Sequence, residues 1–373
     1  MRRVRLALPL LALAALVLWL WAARGGAAAP TAALRLARAQ GSAITALRGE
    51  LAAYRAETAR RGAAAPPVAA AARPAPAVTF AHVINPMPAG HGLHADVEVT
   101  FAALARAAAY ARRRGVAVRL LTCEFADEAR VRRPAGFEPL PNLTRHAFAA
   151  YELGRRGVAA RRLPFVADIF QLAFRAAAGA AYLGYTNADI AVQEDFYVRA
   201  AAYAATSEAF VINRVEVDAH DGGGRPYGPR DLDALYALGR ARPQRHAGYD
   251  CFFWRRDATP LVALFARNVF VGYPPVGRHV AEALRCVFGR GFREVRGAHH
   301  TFHLGDRNGG WSRHGQYEHV NRRAARKAPA AFRRVARCGA TGADAVAAAA
   351  AELRRAPFER WDVPGAEWPP REV

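Results

Sequence analysis

Apolar and polar positions divide the chain into three textures. The first is an apolar run from Leu6 to Ala23, disturbed as a helix only by Pro9 and preceded by Arg2, Arg3 and Arg5. As a helix, a run of about 18 residues rises about 27 Å, close to the hydrocarbon thickness of a bilayer. Trp19 and Trp21 stand at its far end, where interfacial aromatics belong. The pattern predicts a cytoplasmic tail over 1–5 and a transmembrane anchor over 6–23. A cleaved signal peptide is the competing reading, for which the run is long.

The second texture covers 24–78 and reads as a stem. Ile44, Leu47, Leu51 and Tyr54 recur at 3-4-3 spacing. That heptad-like stripe would let two stems pair into a homodimer, and a single short helix reads it equally well. Pro and Ala dominate 63–78 and favour an extended spacer.

The third texture begins at 79. Strand-like runs at 78–85, 116–125, 180–192, 209–217 and 249–256 alternate with helical runs at 97–115, 166–180, 231–239, 259–270 and 276–288. Strands alternating with helices predict an α/β domain with a mostly parallel sheet covered on both faces. The domain is placed at 79–330, followed by an Ala/Arg-rich C-terminal extension over 331–373. Removing the N-terminal region leaves roughly 250 to 290 residues, enough for one domain with a full core.

Composition changes this picture little. The net charge is +22, but Lys327 is the only lysine, and arginine and alanine are over-used throughout. That pattern reads as codon bias. A basic stripe interleaved with aromatics is not evident, so no nucleic-acid partner is expected. A positive field does suit an anionic substrate such as a sugar nucleotide. The four cysteines, Cys123, Cys251, Cys286 and Cys338, lack CxxC spacing, which argues against a zinc or redox motif and leaves one or two disulfides open. Asn142-Leu143-Thr144 is a glycosylation sequon.

Chemistry concentrates at Tyr185-Thr186-Asn187-Ala188-Asp189-Ile190. Asn187 and Asp189, spaced i, i+2 after an apolar strand, offer hard oxygen ligands to Mg²⁺ or Mn²⁺. Such an ion would neutralise a diphosphate as it leaves. A strand ending in an Asx turn reads the same residues without metal. Asp250 is the first candidate for the base that takes an acceptor hydroxyl proton, and Asp306 the second; both also read as turn acids. Trp311, near Gly309 and Gly310, is a candidate platform for an acceptor sugar. His299, His300, His303, His314 and His319 form a late cluster, but no H-E-x-x-H pattern supports a metalloprotease.

The segments HVINP (82–86), LPFVADI (163–169), YTNADIAVQEDFY (185–197), FVINR (210–214), GYDCFFWRR (248–256) and TFHLGD (301–306) resemble GT-A fold glycosyltransferases, in an uncharacterised nucleotide-diphospho-sugar-transferase-like branch. The resemblance spans 79 to about 310. It implies a GT-A, Rossmann-like sheet preceded by one transmembrane helix and a stem. Asn187-Ala188-Asp189 stands where D-x-D would stand, with a neutral residue in the first place. His303 would complete the metal site, and Asn85 and Asp168 would lie beside the nucleotide. The function implied is a membrane-anchored, single-pass type II transferase. It would move a sugar from a nucleotide-sugar donor to a glycan, lipid or protein acceptor, with Mn²⁺ or Mg²⁺. Its compartment would be the Golgi in a eukaryote, or the inner membrane facing the periplasm in a bacterium. The alternatives are a non-catalytic GT-A-like domain that binds a glycan or partner, which Asn187 favours, and a metal-dependent hydrolase.

Overall fold

The computed structural model describes residues 79–88, 94–128, 133–241, 248–304 and 315–358. The predicted tail, anchor and stem over 1–78 lie outside the described residues, as do Asp306, Trp311 and His314. Among the described residues no helix is long and apolar enough to cross a membrane. Residues Pro74–Val373 belong to one compact unit.

A seven-stranded sheet forms the centre of the described region. The chain enters on β1 (Thr79–Ile84), crosses through α1 (His94–Arg112) to β2 (Ala117–Thr122), and continues outward to β3 (Phe137–Pro139). After α2 (Ala147–Ala150) and α3 (Val166–Ala176) it returns to β4 (Tyr182–Thr186), on the other side of β1. The first four strands are parallel. The strand order is β3-β2-β1-β4-β8-β6-β9, in which β8 (Tyr249–Arg255) runs antiparallel between β4 and β6 (Ala209–Asn213), and β9 (Phe292–Val295) is parallel to β6. The sheet is therefore mostly parallel with one reversed strand.

Both faces are buried, because side chains alternate along each strand. Ala81, Val83, Leu183, Val211 and Trp254 face a layer made with α3, α6 (Thr259–Ala266) and α7 (Val276–Phe288). Phe80, Ile84, Phe210, Ile212 and Phe253 face a layer made with α1 and α4 (Phe196–Ala204). α1 shows why: Val97, Phe101, Leu104, Ala108 and Ala111 recur every three or four residues and are buried. Asp96 lies in its first turn, Arg112 in its last, and Gly115 at φ 78° turns the chain out.

A second sheet is smaller. Its strands β5 (Ile190–Val192), β10 (Thr301–Leu304) and β7 (Val215–Val217) lie in that order. The run over 180–192, read as a strand running into a polar turn, is two strands in different sheets, β4 and β5, divided at that turn, Asn187–Asp189. The run over 209–217 likewise divides at Arg214, after a bulge between Ile212 and Asn213. Short turns at polar residues let the chain leave one sheet and join the other.

α5 (Leu232–Ala241) follows β7, and α8 (Gly315–Arg333) and α9 (Ala343–Arg355) end the described chain. The boundary placed at 330 falls inside α8. Phe332, Ala336, Ala349 and Leu353 are buried in the same core as α6 and α7. A disulfide joins Cys286, in α7, to Cys338, after α8. Cys123 and Cys251 are buried thiols.

Candidate functional site

The order of strands reverses between β1 and β4. The chain builds outward from β1 to β3 and then returns to the opposite side. In open parallel sheets a crevice forms at the carboxyl ends of the strands at such a switch point. Asn85 follows β1 there, and Asn187-Ala188-Asp189 follows β4.

The turn after β4 is tight. The Ile190 N–H donates to the Asn187 carbonyl at 3.3 Å, and the Asn187 N–H to the Asp250 carbonyl on β8 at 3.2 Å. Asn187 Nδ2 donates to Asp250 Oδ1 at 2.7 Å, and Asn187 Oδ1 accepts from the Tyr185 hydroxyl at 3.2 Å. Asn187, expected to assist a metal, thus has its amide committed to Asp250 and Tyr185. Its neutrality has a physical cause here, because an amide N–H can donate to a buried carboxylate that a second carboxylate would repel.

Asp250 has its other oxygen taken as well. Arg214 Nη1 donates to Oδ2, and Arg214 Nε donates to Glu216 Oε1 at 2.8 Å. Arg214 sits where the chain passes from β6 to β7, so its guanidinium ties the two sheets together at the site. Gly248 makes the space: a Cβ there would lie 2.8 Å from Asp250 Oδ2 and 3.0 Å from Arg214 Cζ. Burial pushes the Asp250 carboxyl up, against the lowering effect of Arg214. With both oxygens engaged, Asp250 anchors Asn187 and Arg214 in this arrangement.

The small sheet aligns the remaining groups. His303 on β10 is the direct register partner of Glu216 on β7 and of Ile190 on β5, and Asp189 immediately precedes β5. His303 thus stands opposite Glu216 on one side and beside the turn that carries Asp189 on the other. His303 Nδ1 lies 2.8 Å from Glu216 Oε2, and Nε2 lies 3.2 Å from Asp189 Oδ2. Burial alone would lower the His303 imidazole, but hydrogen bonds to Asp189 and Glu216 raise it to about 9. Glu216 is lowered to about 2, because His303 and Arg214 together overcome its burial. Asp96, in the first turn of α1, is raised to about 6 by burial and by the charge of Asp189.

The donors present fit a divalent ion. Asp189 Oδ1 is buried with no hydrogen-bond partner. Asp96, Asp189, Glu216 and Asp250 are four carboxylates set against two cations, Arg214 and His303. Such a negative site repels a diphosphate unless a cation joins it. Among the described residues no three His, Cys, Asp or Glu side chains converge to hold an ion unaided. Protein ligation would thus come from Asp189 and His303, with the remaining positions left to substrate oxygens and water, as is usual for Mg²⁺.

The other two expected residues flank the first two strands. Asn85 Nδ2 donates to the Cys123 carbonyl at 2.7 Å and ties the ends of β1 and β2 together. Asp168, in the first turn of α3, pairs with Arg145 and acts electrostatically on the Cys123 thiol. Burial nevertheless raises the Asp168 carboxyl. Of the other late histidines, His300 meets the Tyr203 hydroxyl at 2.9 Å and His299 the Gly239 carbonyl at 3.1 Å. Neither joins the pairs that His303 makes with Asp189 and Glu216.

Sequence reasoning passed over Arg214, Glu216 and Asp96. A signal did exist: Arg214 and Glu216 alternate with buried Val215 and Val217 in an otherwise apolar run. Two opposite charges at i, i+2 on a strand mark one polar face.

No protein-family profile matches this chain, and no curated protein does. Solved structures give distant likenesses. A Drosophila β1,4-galactosyltransferase 7 mutant, in complex with manganese, UDP-galactose and xylobiose, is 11% identical over 62% of this chain and 72% of its own, with a TM-score of 0.32. S. aureus TarS with UDP-GlcNAc is 11% identical over 63% of this chain and 61% of its own, with a TM-score of 0.32. The galactosyltransferase LgtC, in complex with donor and acceptor sugar analogues, is 7% identical over 66% of this chain and 96% of its own, with a TM-score of 0.31.

Proposed function

We propose that the domain is a GT-A-type glycosyltransferase that takes a nucleotide-sugar donor with the help of Mn²⁺ or Mg²⁺. The observation that carries this reading is the pair Asp189–His303, a carboxylate with one buried unpartnered oxygen facing an imidazole at the switch point of a mostly parallel sheet. A divalent ion bound there supplies charge stabilisation to a departing diphosphate. Asp189 and His303 hold it, and Asn187 shapes the turn that aims Asp189. Asp250 secures that turn from β8. Asn85 and Asp168 lie toward the nucleotide side, beside the ends of β1 and β2. Asp306 is the remaining candidate for the base.

The compartment belongs to the same reading. A luminal or periplasmic domain behind a single-pass type II anchor at 6–23 is supported by the arginines before the apolar run. The Cys286–Cys338 disulfide suits an oxidising compartment. The acceptor is a glycan, lipid or protein.

The test is Asp189→Asn. It keeps the shape and removes the charge, so Mn²⁺-dependent nucleotide binding and transfer fall on the order of a hundredfold or more. Calorimetry with Mn²⁺ and a panel of nucleoside diphosphates measures this, with thermal unfolding as the control for folding. Unchanged metal-dependent binding in the folded variant would exclude the site. Wild-type binding of glycans but of no nucleotide, with any metal, would favour a non-catalytic binding domain.

A further inference from the structure

The small sheet carries a group whose job the proposed ion chemistry does not by itself explain. Glu216 stands on β7 of the small sheet and bonds to His303 and Arg214. Its two oxygens are divided, Oε2 to His303 Nδ1 at 2.8 Å and Oε1 to Arg214 Nε at 2.8 Å. Both partners reach it from fixed backbone. His303 is its register partner on β10, and Arg214 is two residues earlier on its own chain, pinned in turn to Asp250.

We propose that Glu216 is a positioning residue for His303: it accepts the imidazole Nδ1–H and so fixes the ring with Nε2 turned to Asp189 and to a divalent cation. This rests on the reading of Asp189 and His303 as the pair that holds the ion. The chemistry of imidazole supplies the reason. A neutral ring carries one proton and offers one lone pair. A carboxylate cannot donate, so Glu216 holds a proton on Nδ1 and Asp189 holds one on Nε2; it is the Nε2 proton that a divalent ion would displace, leaving the lone pair on that nitrogen. The charge of Glu216 also makes the ring a stronger donor to a metal. Removing such an outer partner commonly costs tenfold to a hundredfold in metal affinity. Arg214 completes the device: by occupying Oε1 it stops the carboxylate from turning toward the ion and becoming a ligand itself.

The experiment titrates the full chain in detergent with Mn²⁺ alone, by calorimetry, in wild type, Glu216→Ala, Glu216→Gln and His303→Ala. Glu216→Ala is expected to weaken Mn²⁺ binding by about tenfold to a hundredfold. Glu216→Gln still accepts from Nδ1 but without charge, so it weakens binding less. Nitrogen-15 spectra of histidine-labelled protein with Mg²⁺ report the tautomer. The wild-type His303 ring holds its proton on Nδ1, and Glu216→Ala mixes the two forms. Should the alanine variant fail to fold, the glutamine variant alone decides, through weakened Mn²⁺ binding and an altered Nδ1 signal. If His303→Ala abolishes binding while both Glu216 variants bind as wild type, this role of Glu216 is overturned and the ion site stands. If wild type binds no Mn²⁺, the ion site and this role fall together.

Discussion

The two sheets divide the work of the domain. The seven-stranded sheet is apolar on both faces, and Trp254, Phe252, Phe253 and Phe210 on its strands are essentially inaccessible. Its polar groups are paired for packing: His82 meets the Tyr197 hydroxyl at 2.7 Å and Thr186 Oγ1 at 3.1 Å, and Trp254 Nε1 donates to Thr259 Oγ1 at 3.0 Å. The three-stranded sheet adds Val192, Val215, Val217, Phe302 and Leu304 to the core shared with α1 and α4. It also presents charge, with His303 opposite Glu216 and beside the turn that carries Asp189. The large sheet thus supplies the apolar framework, and the small one joins that framework through its buried side chains while holding a few polar ones in line. Arg214 belongs to both, through Asp250 on one side and Glu216 on the other.

That double membership makes Arg214→Met the strongest test of the division. Breaking a buried charge network by removing one partner commonly costs about 3–5 kcal/mol, because the remaining charges stay buried. Urea unfolding of Arg214→Met should show a loss of that order, together with weaker Mn²⁺ binding. A neutral result would mean that the small sheet's charges are merely solvated.

Acid separates the two sheets next. Burial holds His82 down at about 3 and His279 at about 4. Both belong to the framework: His82 is in β1, and His279, in α7, meets the Phe265 carbonyl at 3.2 Å. Between those values and the ordinary histidine value near 6.5, the unfolded chain binds more protons than the folded one. Stability contributed by these rings is therefore present above about pH 6.5 and is lost as pH falls through 4 toward 3. The loss is on the order of 3–5 kcal/mol for each ring at full titration. Thermal unfolding between pH 7 and pH 4 measures it, and His279→Gln should flatten the slope. An unchanged slope would place the acid sensitivity elsewhere.

Asn187→Asp has the smallest expected effect. From sequence it looks like the restoration of a more familiar metal pair. In the structure it sets a carboxylate against Asp250 Oδ1 in place of a 2.7 Å donor. A loss of about 1.5–3 kcal/mol in stability is expected, since a hydrogen bond to a charged group is lost. Metal affinity should change less than tenfold. Urea unfolding and Mn²⁺ calorimetry check both, and a gain in stability would show that Asn187 is not held by Asp250.

The sequence by itself determined the framework. Periodicity located β1, α1, β2, α3, β8, α6 and α7 because each buries a continuous apolar face, and burial leaves a local pattern. It also marked Asn187 and Asp189, since polar residues closing an apolar strand are conspicuous, while His303 was marked only by the resemblance of its late segment to GT-A enzymes. Tertiary structure alone decided that the residues after the polar turn in 180–192 form a strand of a second sheet, and where the run over 209–217 breaks, because both depend on which sheet each half can pair with. It alone reversed β8, joined Cys286 to Cys338, and brought the residues after 330 into the core. It also decided the partners of the chemistry. His303 meets Asp189 across 114 residues and Glu216 across 87, and Asp250 meets Asn187 across 63. No local pattern encodes such pairs. The His303 pairs exist because β10 inserts between β5 and β7, and the Asp250 pair because β8 runs antiparallel beside β4, choices made by hydrogen bonding and apolar packing over the whole domain.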